Sequence, residues 1–194
     1  MKILLINNYQ QGNETATFEA LMLALAEHDV KMLRYRPGIR FDDRGADLVV
    51  LSGGGGEGSE IHDSYSHNKL WYQDQINYVL SSQKPIIGLC MGFEVIARAY
   101  GSRVLELKDY ITGFRRLKTT EAGLSSLGGQ SLTQYENHRF YVPEISPGEF
   151  TVLARSETGV EMVRHRTRPI LATQFHPEIR GGSLDLRSAI KALA

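Results

Sequence analysis

Lys84-Pro85-Ile86-Ile87-Gly88-Leu89-Cys90-Met91-Gly92-Phe93-Glu94-Val95-Ile96-Ala97 is the stretch that decides the fold. The apolar run from Pro85 to Leu89 reads as a strand buried on both faces, as in a parallel sheet. The only cysteine of the chain follows it. Phe93, Ile96, Ala97 and Tyr100 then recur at helical spacing, and Gly101 ends the pattern. Cys90 therefore sits on a sharp strand-to-helix turn, the geometry of a nucleophile elbow with sulfur in place of the serine oxygen. Gly88 and Gly92 let the turn close and let the two backbones approach. The helix N-terminus beneath the sulfur favours a thiolate, the reactive form.

A lone cysteine in an apolar setting is most often an inert core residue. Gly-x-Cys-x-Gly alone leaves that reading ahead. A second string, Gln174-Phe175-His176-Pro177-Glu178, changes the balance. A nucleophilic cysteine needs a base, and the base needs an orienting acid. His176 and Glu178 supply both, two residues apart. In an extended segment such residues point the same way, and Pro177 narrows the backbone choices between them.

Together the two strings resemble the signature of class I glutamine amidotransferases, the triad-type glutaminases. That family's pattern is Gly-x-Cys-x-Gly-x-Gln, then a distant His-Pro-Glu. The chain matches both except at Glu94, where the family usually has glutamine. The likeness runs from the first strand to the last helix. It implies a class I glutamine amidotransferase-like, flavodoxin-like domain spanning residues 1–194. It also implies L-glutamine as substrate, Cys90 as nucleophile, His176 as base and Glu178 as its orienting acid, with no metal and no organic cofactor. In the family, ammonia passes to a synthetase. This chain ends soon after the glutaminase elements, so a separate synthetase partner chain is expected.

The glycine run Ser52-Gly53-Gly54-Gly55-Gly56-Glu57-Gly58-Ser59 fails as a phosphate loop, because no lysine follows Gly58 and no strong helix opens there. The family has Ser-x-Gly-x-Gly here, and its first glycine donates to the oxyanion of the acyl intermediate. The resemblance gives that role to Gly54, with the Met91 N–H as second donor. Neutral donors suit a charge that develops only in the transition state. The family's usual prolines are absent.

Gln134-Tyr135-Glu136-Asn137-His138-Arg139-Phe140-Tyr141-Val142 resembles the Asn-His-Gly-Phe/Tyr segment of the small chain of carbamoyl-phosphate synthetase. There the asparagine, and the backbone after the histidine, hold the substrate. Asn137, His138 and Phe140 match, and Arg139 replaces glycine. Glu94, Asn137, Arg139 and Phe140 are thus the expected substrate contacts. For His138 a structural role beside the site competes with direct contact. The opening Ile6-Asn7-Asn8-Tyr9 faintly resembles anthranilate-type glutaminase chains, so the acceptor pathway stays open. Gly-Phe-Glu after the elbow also resembles γ-glutamyl hydrolases on the same fold, which makes γ-glutamyl hydrolysis the alternative activity.

Composition excludes other classes. The 194 residues suffice for a full α/β core. Lys plus Arg and Asp plus Glu each number 22, and no basic stripe interleaved with aromatics suggests nucleic-acid binding. One cysteine rules out an internal disulfide and fits a cytoplasmic setting. The apolar start, Met1 to Ile6, is too short for a signal peptide or a membrane span. Asn13-Glu14-Thr15 fits a glycosylation sequon and, without a secretion signal, reads as chance.

Strands are expected at Lys2–Ile6, Val30–Tyr35, Ala46–Leu51 and the elbow, with helices at Glu14–His28 and Lys69–Ser82. That alternation implies a three-layer, doubly wound, mostly parallel sheet with ligands outside the carboxyl ends of its strands. Arg103–Lys118 reads as extended and Glu121–Gly129 as loop. Phe150–Arg155, Val160–Arg164 and Pro169–Gln174 read as an antiparallel end with a turn at Gly159, and Ser183–Leu193 as the last helix. His62, Asp63 and His67 lack zinc-signature spacing and read as solvated loop. Arg164, His165, Arg166 and Arg168 read as a solvated hairpin face, with a partner-docking surface as the weaker alternative.

Overall fold

The computed structural model describes residues 1–10, 16–55, 65–66, 69–127 and 131–193. The sequon, the glycine run beyond Gly55, and His62, Asp63 and His67 lie outside the described residues. In chain order the elements are β1 (Lys2–Tyr9), α1 (Ala16–Ala24), β2 (Asp29–Arg34), β3 (Leu48–Gly55), β4 (Tyr65–Ser66), β5 (Lys69–Leu70), α2 (Gln73–Ser81) and β6 (Ile86–Leu89). They continue with α3 (Met91–Ala99), β7 (Leu105–Thr119), α4 (Glu121–Ser126), β8 (Leu132–Tyr141), β9 (Phe150–Arg155), β10 (Val160–His165), β11 (Ile170–Thr173) and α5 (Leu186–Lys191).

Nine strands form one sheet in the order β2-β1-β3-β6-β11-β10-β9-β7-β8. The first five are parallel, and β10, β9, β7 and β8 extend the sheet by antiparallel pairing. Alternate residues of each central strand feed opposite faces. Leu4, Ile6, Val49 and Leu51 join one core with Ile76 and Val79 of α2 and Phe93 and Ile96 of α3. Ile3, Leu5, Leu48 and Val50 join the other with Leu21 of α1 and Leu186, Ala189 and Ile190 of α5. The result is the three-layer arrangement, helix–sheet–helix, that a strand buried on both faces requires.

Several boundaries move for identifiable reasons. The first strand runs past Ile6 to Tyr9 because its polar residues are paired inside. Asn8 Nδ2 donates to the Ser52 carbonyl at 3.0 Å, and Gln75 Nε2 donates to Asn8 Oδ1 at 2.9 Å. β3 likewise continues into its glycines as far as Gly55. Lys69 and Leu70 are extended, pairing with Tyr65 and Ser66, so the helix begins only at Gln73. Glu121–Ser126 is a helix rather than a loop: Thr120 caps it, its hydroxyl accepting from the Gly123 N–H at 3.0 Å.

The basic cluster is a solvated face only in part, with Arg166 exposed and Arg164 half-buried. His165 is buried, and Arg168 donates to the Val79 carbonyl at 2.8 Å and also to the Ser82 carbonyl. A cation there satisfies the orphan carbonyls at the C-terminus of α2. Among the described residues no helix is long and apolar enough to cross a membrane.

Candidate active site

The site gathers at the carboxyl ends of β1, β3, β6 and β11, where a doubly wound sheet opens its crevice. β6 delivers Cys90 directly. Its four residues are buried, and Cys90 itself has φ 49° and ψ −106°. Among the described residues it is the one non-glycine with a positive φ. A strained backbone of this kind persists only when its surroundings hold it. Here the Cys90 N–H donates to the Thr173 carbonyl of β11 at 2.8 Å, and the Cys90 carbonyl accepts from the Glu94 N–H at 3.1 Å. The flanking glycines do what the spacing suggested. A Cβ on Gly88 would lie 2.5 Å from Ile96 Cδ1, and one on Gly92 would lie 2.8 Å from Leu51 Cβ while striking that residue's carbonyl oxygen. Helix α3 thus lies directly on β3.

Thr173 ends β11, and the chain turns to present His176 and Glu178. His176 Nδ1 and Glu178 Oε1 are 2.7 Å apart, and both residues are buried. The His176 N–H donates to the Tyr135 carbonyl at 2.9 Å, which fixes the segment to β8. The Tyr135 ring also packs against His176, with centroids 6.4 Å apart. His176 Nε2 is buried without a hydrogen-bond partner. Burial lowers the His176 pKa, but Glu178 and then Cys90 outweigh it and hold the ring well above the ordinary histidine value. Burial pushes the Cys90 thiol up, while the adjacent His176 draws it back down.

Gly54 and Met91 meet. A Cβ on Gly54 would run into the Met91 sulfur and lie 3.3 Å from its Cβ. The end of β3 and the first residue of α3 therefore form one wall of the site. Gly53 is closed in similarly, since a Cβ there would lie 2.7 Å from the Tyr9 hydroxyl and 3.3 Å from His176 Cε1. Substitution at Gly54 would push on the Met91 side chain, and substitution at Gly53 on the Tyr9 hydroxyl and the imidazole.

The four expected substrate contacts divide. Glu94 is buried one helical turn beyond Cys90 and accepts from Gln174 Nε2 at 2.8 Å. Burial raises its pKa to about 7, against lowering by the Gln174 bond. The Asn137 carbonyl lies 3.9 Å from the Cys90 sulfur. Arg139 is exposed and pairs with Glu106 at 2.6 Å. Phe140 packs against a core cluster, and its carbonyl accepts from His138 Nδ1 at 2.7 Å. So Glu94 and Asn137 adjoin the sulfur, whereas the Arg139 and Phe140 side chains are engaged elsewhere.

A family model described as glutamine amidotransferase class-I matches residues 4–190. The chain belongs to the class-I glutamine amidotransferase family. A glutamine-hydrolyzing GMP synthase subunit of Thermoplasma acidophilum is 37% identical over 138 residues, 70% of this chain and 64% of the relative. A carbamoyl phosphate synthase arginine-specific small chain of Aspergillus niger is 30% identical over 142 residues, 72% of this chain and 29% of the relative. The chain thus spans under two thirds of the length of both. A solved Thermoplasma acidophilum protein, provisionally assigned as a GMP synthase subunit, superposes with TM-score 0.74 at 26% identity, over 100% of this chain and 92% of that one. A Thermotoga maritima glutamine amidotransferase structure shares the fold, with TM-score 0.68 at 19% identity over 92% of this chain and 76% of its own.

In this class-I chain the sequence reading missed three contributors. Gln174 lies 3.9 Å from the sulfur as well as 2.8 Å from Glu94, bridging nucleophile and helix. Its place two residues before His176 was the available signal. Tyr135 carries the histidine, and Tyr9 walls the imidazole beside Gly53. Neither has a sequence signature.

Proposed function

We propose that this chain hydrolyses the side-chain amide of L-glutamine through Cys90, His176 and Glu178. The Cys90 sulfur attacks the amide carbon. His176 Nε2 takes the thiol proton and returns it to the departing ammonia. Glu178 holds the imidazole through Nδ1 and stabilises its charged form. The Gly54 and Met91 N–H groups stabilise the oxyanion. Water, losing a proton to His176, then cleaves the glutamyl thioester and releases glutamate and the free thiol. Glu94 and Asn137 border the substrate on the sulfur's far side. Neither metal nor organic cofactor enters these steps.

The observation that carries this reading is the elbow itself: a cysteine at φ 49° next to a histidine bonded at 2.7 Å to a buried carboxylate. Family membership supports it. The relatives, one named as a synthase small chain and one as a synthase subunit, support a second part, that ammonia passes to a separate synthetase chain. The setting is one glutaminase domain in the cytoplasm, where a lone thiol stays reduced. The test is ammonia release from L-glutamine beside cleavage of a γ-glutamyl dipeptide. Glutamate and ammonia in equal amounts are expected from glutamine. Turnover of the dipeptide alone would replace the proposal with γ-glutamyl hydrolysis.

A further inference from the structure

A second cluster of titratable side chains lies behind β8. Glu136 and His138 of β8 and Glu161 of β10 are 1%, 2% and 1% exposed. One ligand atom from each lies within 4.8 Å of the other two. Strand alternation puts Glu136 and His138 on the same buried face of β8. The β9–β10 register shifts between Val160 and Met162, and such a bulge re-aims the residue it contains, here Glu161.

The donor chemistry is unbalanced. The Phe140 carbonyl, 2.7 Å from His138 Nδ1, can only accept, so Nδ1 carries its hydrogen. In the neutral ring Nε2 is then a lone pair, and it faces Glu136 Oε2 at 3.5 Å. Glu161 Oε1 accepts from Ser156 Oγ at 2.6 Å, which leaves Oε2. Glu136 Oε1, His138 Nε2 and Glu161 Oε2 are all buried without hydrogen-bond partners. Among the described residues Glu136 pairs with His138 alone and Glu161 with the neutral Ser156. Converging acceptors of this kind need protons or a cation between them.

We propose that Glu136, His138 and Glu161 bind a divalent transition-metal ion of the zinc class, tying β8 to β10. One imidazole nitrogen and two carboxylate oxygens suit such an ion, with bonds of about 2.0–2.2 Å. The supporting contacts are those metal sites use: the histidine's other N–H given to a carbonyl, and a carboxylate oriented by a hydroxyl. Of the three, Glu136 also borders a surface pocket of about 320 Å³, with Ile111 and Ser156. Arg115 and Arg116 border it too. Asn137, whose carbonyl lies 3.9 Å from the Cys90 sulfur, stands between two of the ligands. An ion here would set the position of that segment. The metal site does not depend on the glutaminase reading, and its test reads binding rather than turnover.

The experiment titrates Co²⁺ into the 194-residue Cys90→Ala protein, in which no thiolate can bind the metal. One ion per chain, visible d–d bands and displacement by Zn²⁺ are expected. Glu136→Gln and Glu161→Gln should each weaken binding at least about tenfold, and the His62→Ala/His67→Ala double variant should leave it unchanged. X-ray absorption of the Co²⁺-loaded protein should show a single imidazole, a readout that survives if a glutamine variant fails to fold. Absence of saturable binding, indifference to both glutamine variants, loss in the double variant, or two imidazoles on the ion would each overturn the site and leave the cluster held by protons.

Discussion

Gln174 Nε2 lies 2.8 Å from Glu94 Oε1, joining the end of β11 to the first turn of α3 directly behind Cys90. The two residues are 80 positions apart in the chain. The bond holds a carboxylate in place where the family usually has an amide. It also brings the same Nε2 to 3.9 Å from the sulfur. Helix, strand end and nucleophile are thereby fixed to one another.

Gln174→Leu should expose the value of that bond. It preserves much of the volume but leaves Glu94 Oε1 buried and unpaired. The cost should be about 1.5–3 kcal/mol, or roughly 3–12 °C in melting temperature. The measurement is thermal unfolding at pH 8. Adding Glu94→Leu removes the orphaned group and should recover most of the loss. A double variant no more stable than Gln174→Leu would mean that packing, not the bond, is what Gln174 supplies.

Cys90→Ser and Cys90→Ala should abolish glutamine-dependent ammonia release without unfolding the chain, since both side chains fit the elbow. Glu178→Gln keeps the shape but removes the charge that favours the imidazolium. Its kcat should fall by about 10⁴-fold. Steady-state kinetics with circular dichroism as the folding control decide both. Full activity in Cys90→Ala would discard the mechanism, and an unfolded Glu178→Gln with normal activity in its folded fraction would make Glu178 structural.

The pH dependence of the sulfur follows from its setting. Burial raises the Cys90 thiol, and Glu178 and Cys90 together raise His176. The thiol therefore keeps its proton at neutral pH, and the thiolate appears as pH rises. Because the chain has one cysteine, alkylation by iodoacetamide reports it alone. The rate should climb about tenfold per pH unit through neutrality, with a midpoint above an ordinary thiol's. A rate flat between pH 6 and 8 would mean a preformed thiolate–imidazolium pair instead.

The elbow was legible because its apolar run, glycine spacing and helical phase all depend on neighbours in sequence. His176 and Glu178 were legible as a pair in sequence, but for another reason than the expected extended segment: the chain turns there, the Ile179 N–H donating to the His176 carbonyl at 3.2 Å, and the turn brings the two side chains together. Buried polar residues were not. Asn7 and Asn8 look like a loop until Ser52 and Gln75 are seen to pair with Asn8. Glu136 and Glu161 lie on strands far apart in the chain, and only the fold buries them together. Arg168 looked solvated because the carbonyls it satisfies lie more than 80 residues away. Helix α4 was missed because its six residues carry too little periodicity, and Thr120 was the signal that could have found it.

Glu94 should make stability depend on pH in a direction opposite to that of a salt-bridged carboxylate. Burial, the largest influence, raises its folded pKa to about 7, against roughly 4.3 in the unfolded chain. Between those values the folded state binds more protons than the unfolded one. Stability is therefore fully present below the unfolded pKa and is lost as pH rises through the folded one. The loss is on the order of 3 kcal/mol by pH 8. Glu94→Gln carries no titratable group and can still accept from Gln174. It should match the wild type at pH 4.5 and exceed it at pH 8 by up to about 3 kcal/mol. Urea unfolding of both proteins at several pH values between those limits measures the difference directly. Parallel stability curves would show that Glu94 is solvated, or relieved by a neighbour, in the folded chain. A gap that widens with falling pH would reverse the sign and show a carboxylate stabilised in its charged form.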